Sequence, residues 1–129
     1  MIYTLRQSRC RFTECIALLI LEAELKGYEM ALAEGMDRKT ERDPTTDHMK
    51  GSLHEIGLAQ DIDLYKDGKY VCGEGVKCKD PARHVPFDKG HEKLGEWWEQ
   101  LGKSKGYPLR SGIKFDDANH YSWEDMGKK

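Results

Sequence analysis

Gly57-Leu58-Ala59-Gln60-Asp61-Ile62-Asp63-Leu64-Tyr65 alternates in its second half, with Ile62 and Leu64 on one side and Asp61, Asp63 and Tyr65 on the other. A period of two is that of a strand with one buried face. Lys66-Asp67-Gly68-Lys69 then reads as a hairpin-type turn, leading into a short Tyr70-Val71 strand. Upstream, apolar residues from Leu5 to Lys26 recur every three or four positions. They predict a helix that buries Phe12, Cys15, Ile16, Leu19, Ile20 and Ala23 and stops at Gly27. Tyr28 to Ala33 is a strand candidate, and Asp37 to Lys50 is a polar, charged loop where substrate contacts can sit. Downstream, Cys72 to Lys89 reads as irregular. A second amphipathic helix over Lys89 to Lys103 buries Leu94, Trp97, Trp98 and Leu101, and a last strand spans Asn119 to Trp123. Strands and helices mix without a βαβ rhythm, so the class is α+β.

The 129 residues suit one domain. With 21 Lys+Arg against 23 Asp+Glu the formal charge is −2, which removes the basic field that nucleic-acid binding needs. Arg6, Arg9 and Arg11 are spread around the first helix and read as solvated. The apolar run Ile16 to Leu21 is flanked by Glu14, Glu22 and Glu24 and falls far short of the ~20 residues of a membrane span. No stretch reads as a secretory signal, so the expected compartment of synthesis is the cytoplasm. The four cysteines, Cys10, Cys15, Cys72 and Cys78, form no C-x-x-C pair and read there as free thiols; pairing or metal binding by Cys72 and Cys78 stays open, with lone thiols in a mobile loop the preferred reading.

Two segments hold chemistry: Ser52-Leu53-His54-Glu55-Ile56-Gly57-Leu58-Ala59-Gln60-Asp61 and Asp117-Ala118-Asn119-His120. Zinc takes neutral imidazole nitrogen and carboxylate oxygen, and a catalytic site keeps three protein ligands and one open position. His54, Asp61 and His120 make such a set if the chain turns at Gly57 and if the strand bearing His120 lies beside that bearing Asp61. Asp117 would then stand next to the metal without binding it, as a carboxylate able to take a proton from water. The alternative is that these histidines are structural or surface residues; His48, His84 and His91 read as surface residues. Trp97 and Trp98, at helical spacing with Leu94 and Leu101, read as core rather than as a sugar-stacking platform.

Ser52, His54, Gly57, Ala59 and Asp61 match a Ser-x-His-x-x-Gly-x-Ala-x-Asp pattern, and Asp117 with His120 match a late Asp-x-x-His element. In both elements, and in their order and wide separation, the chain resembles the zinc D-alanyl-D-alanine carboxypeptidase family. Within that family it is similar to the small phage L-alanyl-D-glutamate peptidases (endolysins). The similarity extends through Ser52 to Tyr70, Leu94-Gly95-Glu96-Trp97-Trp98 and Asn119-His120-Tyr121-Ser122. The resemblance implies a Hedgehog/D,D-peptidase-like single domain over residues 1–129, a small antiparallel sheet with flanking helices. It implies zinc held by His54, Asp61 and His120, with Asp117 as general base. It also implies Ser52 near the substrate and Arg38 facing the substrate peptide. Two departures bear on substrate preference. Leu109-Arg110-Ser111-Gly112-Ile113-Lys114-Phe115 stands where such enzymes carry a Trp-Gly-Gly-Arg-Phe-like run, and Cys72 to Pro86 reads as an insertion.

The expected activity is zinc-dependent cleavage of the peptidoglycan stem peptide, at the L-alanyl-D-glutamate bond, by a monomeric phage endolysin. The enzyme would have no nucleic-acid partner and no stable membrane association. It would wait in the host cytoplasm for a holin-type partner to permeabilise the membrane. The rivals are a D-alanyl-D-alanine carboxypeptidase and a non-catalytic zinc-bearing binding module; Asp117 argues against the latter, since a structural site needs no unliganded carboxylate.

Overall fold

A computed structural model describes residues 2–33, 53, 56–72, 84–85, 88–113 and 119–125. Helix α1 spans Leu5–Leu25. It begins at a capping box: Thr4 Oγ1 accepts the Gln7 N–H at 3.2 Å and Gln7 Oε1 accepts the Thr4 N–H at 2.9 Å. Two of the orphan groups of the helix start are thereby satisfied. It ends at Gly27, as expected, where the backbone turns to φ 87° and the Tyr28 N–H closes on the Ala23 carbonyl. Ser8, Phe12, Cys15, Leu19 and Ala23 form its buried face. Ile16 is only partly buried and Ile20 is 38% exposed, so the stripe is narrower than the apolar pattern predicts.

Six strands pair among the described residues: β1 Glu29–Leu32, β2 Ala59–Lys66, β3 Lys69–Val71, β4 His84–Val85, β5 Leu109–Ser111 and β6 His120–Trp123. The order is β4-β3-β2-β6-β5, with β1 also on β2. Every pairing is antiparallel except β3 with β4, which is parallel through Tyr70↔His84 and Val71↔Val85. The α+β class and the small, mainly antiparallel sheet follow the sequence; β4 lies inside the segment expected to be irregular, and β5 was not foreseen. The β2–β3 turn has Asp67 at φ 50° and Gly68 at φ 77°, the left-handed pair that a type I′ hairpin requires.

Alternation along β2 sorts the sheet into two faces. Ile62 and Leu64 are fully buried and lie with Tyr121 and Trp123 in the core against α1 and α2. Asp61, Asp63 and Tyr65 take the opposite face. Helix α2, Gly90–Lys105, contributes Leu94 and Trp98, both fully buried. The Trp98 ring packs edge-on against Phe12 and Tyr121 at 5.8 and 5.7 Å between centroids. Its indole N–H donates to the carbonyls of Arg110 at 3.0 Å and Ser122 at 3.3 Å. Trp98 therefore joins both helices to β5 and β6. Trp97 packs at the margin of the same cluster, so the pair belongs to the core, as the spacing indicates.

Candidate metal centre

Asp61 sits in the ladder between β2 and β6, where its register partner is His120. Cross-strand partners project to the same side of a sheet, and here His120 Nδ1 stands 3.4 Å from Asp61 Oδ1. The His120 side chain is 8% exposed and that of Asp61 21%, so the pair is set into the surface, with Asp61 Oδ1 itself closed to solvent. The 3.4 Å separation lies at the long end of the N–H···O range. It equals the spacing of two donors that each lie about 2.0–2.2 Å from one tetrahedral zinc, which is about 3.4 Å. One imidazole and one carboxylate are the donor types zinc accepts, so these two residues fit such an ion.

The third expected ligand, His54, lies outside the described residues, as do Asp117, Ser52 and Arg38. Among the described residues no group of three or more His, Cys, Asp or Glu side chains is gathered to hold a metal ion. The flanks of the His54 segment are fixed nonetheless. Leu53 and Leu58 are 2% and 0% exposed, and the Leu58 N–H donates to the Leu53 carbonyl at 2.8 Å. Gly57 takes φ +75°, and a Cβ there would meet Arg9 Nε at 2.8 Å, so only glycine fits this turn without displacing the arginine.

On the same face the Asn119 side chain donates from Nδ2 to Asp63 Oδ1 at 3.3 Å, while the Asn119 carbonyl accepts the Ile62 N–H at 2.8 Å. Sequence reasoning assigned no role to Asp63 or Asn119. The register alone does not give their contact: in the ladder Asn119 would fall opposite Ile62, whose side chain faces the core, and its amide meets Asp63 from the turn before β6.

Two expectations are corrected. His91 is not a surface residue; it is 2% exposed in the first turn of α2. Burial pushes its pKa down to about 4, against the opposing pull of Asp88 and a hydrogen bond to the Val71 backbone. It stands in one stripe with Leu94 and Trp98, which is why the helix carries it inward. Cys72 is not a free thiol in a mobile loop. It is disulfide-bonded and 3% exposed, and its N–H donates to the Val85 carbonyl at 3.2 Å, because the unforeseen strand β4 holds the end of β3. Cys78 lies outside the described residues, and Cys10 and Cys15 are free. No helix of the described residues is long and apolar enough to cross a membrane.

Compared with known proteins, the chain matches no family model, no curated protein and no solved structure.

Proposed function

We propose that this chain is a zinc-dependent peptidoglycan peptidase with a Hedgehog/D,D-peptidase-like fold, acting as a phage endolysin on the L-alanyl-D-glutamate bond of the stem peptide. The observation that carries the reading is the pairing of Asp61 with His120 at 3.4 Å. These residues lie 59 positions apart in the sequence. Asp61 and His120 supply one carboxylate and one imidazole donor, and His54 supplies the second imidazole. Zinc held there would supply Lewis-acid chemistry, polarising the scissile carbonyl and lowering the pKa of the attacking water to about 7. Asp117, three residues before His120, takes the proton from the attacking water and delivers it to the leaving amine. Arg38 offers a planar fork of donors for a substrate carboxylate, such as that of an unamidated D-glutamate. Ser52 borders the substrate.

An endopeptidase is favoured over a carboxypeptidase because lysis requires breaking the connectivity of the wall, which trimming a terminal D-alanine leaves intact. In this reading the enzyme accumulates in the host cytoplasm and reaches its substrate after a holin-type partner opens the membrane. Mass analysis of fragments released from purified peptidoglycan, with and without a chelator, tests it. Stems cut after L-alanine, with release abolished by the chelator and restored by zinc, are expected. Free D-alanine as the only product would promote the carboxypeptidase, and no release at all would remove the enzyme reading.

A further inference from the structure

Strand β6 enters its ladder at His120: the register begins with Asp61↔His120, and Asn119 occupies the turn just before it. A residue at the end of a ladder frays unless the chain leading into it is held. Asn119 is held to β2 twice. Its carbonyl accepts the Ile62 N–H at 2.8 Å, a main-chain bond that needs no particular side chain. Its Nδ2 donates to Asp63 Oδ1 at 3.3 Å, a bond that needs both residues. Alternation along β2 places Asp63 on the same face as Asp61, two positions further along.

We infer that the Asp63–Asn119 hydrogen bond is a positioning clasp for the candidate metal centre, fixing the backbone that leads into His120 so that its ring is held against Asp61 before any ion arrives. The inference rests on the proposed function, since only that reading makes His120 a ligand. Partners that orient ligands without touching the metal reduce the reorganisation that binding would otherwise require, and losing one weakens metal binding by about 10- to 100-fold. Asp63 and Asn119 are positioning residues in this scheme, neither ligands nor catalytic groups. The backbone bond from Ile62 keeps the strands paired without the clasp, so its loss loosens one ring and does not unfold the sheet.

Charge and hydrogen bonding at Asp63 separate cleanly. Asp63→Asn removes the negative charge but keeps a side-chain oxygen that accepts from Asn119, whereas Asp63→Ala removes both. Asn119→Asp is isosteric, yet sets two carboxylates against each other. Zinc affinity of the full chain is measured by competition with a chelator, beside the melting temperature of the metal-free protein. Asp63→Ala, Asn119→Ala and Asn119→Asp should each bind zinc about 10- to 100-fold more weakly. Asp63→Asn should stay close to the unmutated chain, and the double alanine variant should lose no more than either single one. Should the alanine variant at Asn119 fail to fold, the isosteric Asn119→Asp carries the comparison. Unchanged zinc affinity in the alanine variants, with or without a fall in melting temperature, overturns the clasp, as does Asp63→Asn losing as much as Asp63→Ala. If the unmutated chain takes up no zinc, the proposed function falls and the clasp with it.

Discussion

Asp61 and Asp63 stand two positions apart on one strand face, yet their neighbours give them different work. Asp61 faces the His120 ring, and Asp63 faces the Asn119 amide. Substitution should therefore separate ligand from base from support. Asp117→Asn should keep zinc content and folding near normal while lowering turnover by roughly 10²-fold or more, the scale of a lost general base. Asp61→Asn should instead weaken metal retention. An Asp117→Asn protein without zinc, beside a zinc-loaded Asp61→Asn protein, would mean that the two roles are exchanged; zinc analysis and peptidoglycan turnover on the same preparations decide it. His91 yields a pH prediction. Its folded pKa of about 4 lies below the ordinary histidine value, so the unfolded chain binds the extra proton between the two. The stability due to the neutral ring is present above about pH 6.5 and lost as pH falls towards 4, a change of order 3 kcal/mol. His91→Gln removes that titration and should flatten the acid limb of a urea-unfolding series across this window. An equally steep limb in the variant would place the acid sensitivity elsewhere.

The N-terminus of α2 is built by contacts from outside the helix. Lys89 at the cap position makes no side-chain capping bond. Asp88 serves instead: Oδ1 accepts the Gly90 N–H at 2.7 Å and the Tyr28 hydroxyl, and Oδ2 lies 3.5 Å from Lys66 Nζ. Burial would raise the Asp88 carboxyl, but the Tyr28, Gly90 and Lys66 contacts outweigh it and hold the pKa below the usual carboxylate value. Burial and the same carboxylate push the Tyr28 phenol up to about 12. One side chain thus links the start of α2 to the segment before β1 and to the end of β2. Asp88→Ala should cost about 1–3 kcal/mol, the range for a lost cap and an unpaired polar group, read as a lower urea midpoint with an unchanged slope. An unchanged midpoint would mean that water replaces all three contacts at no cost. Elements of this scale were legible where periodicity is long. The expected helices Leu5 to Lys26 and Lys89 to Lys103 compare with Leu5–Leu25 and Gly90–Lys105, and the β2–β3 hairpin is where Asp67-Gly68 puts it. The two missed strands are short. Leu109–Ser111 lies between Pro108 and Gly112, and His84–Val85 has only two residues and pairs in parallel with β3. Such strands exist because a partner is already in place, which no local pattern records.

In the whole molecule, β2 is the meeting point: β1, β3 and β6 all pair with it, and the core on one of its faces leaves the other free to display Asp61. That division was legible in the alternation around Ile62 and Leu64. The partnership of Asp61 with His120 was legible as one possible set of zinc donors and, more specifically, as a motif resemblance, while the register that joins them is a long-range pairing that no local pattern fixes. The Cys72 disulfide was legible only as the lesser alternative, since the segment after it offered no sign of a held strand. Reduction should lower the melting temperature, on the scale of the about 2–4 kcal/mol a structural disulfide contributes; an identical melt in reductant would show the bond to be dispensable. The proposed function stands on Asp61 and His120 sharing an ion. Elemental analysis of zinc in the purified chain, His120→Ala and Asp61→Ala measures that directly. One zinc per unmutated chain and little or none in either variant is the expected result, and equal zinc in all three would contradict it.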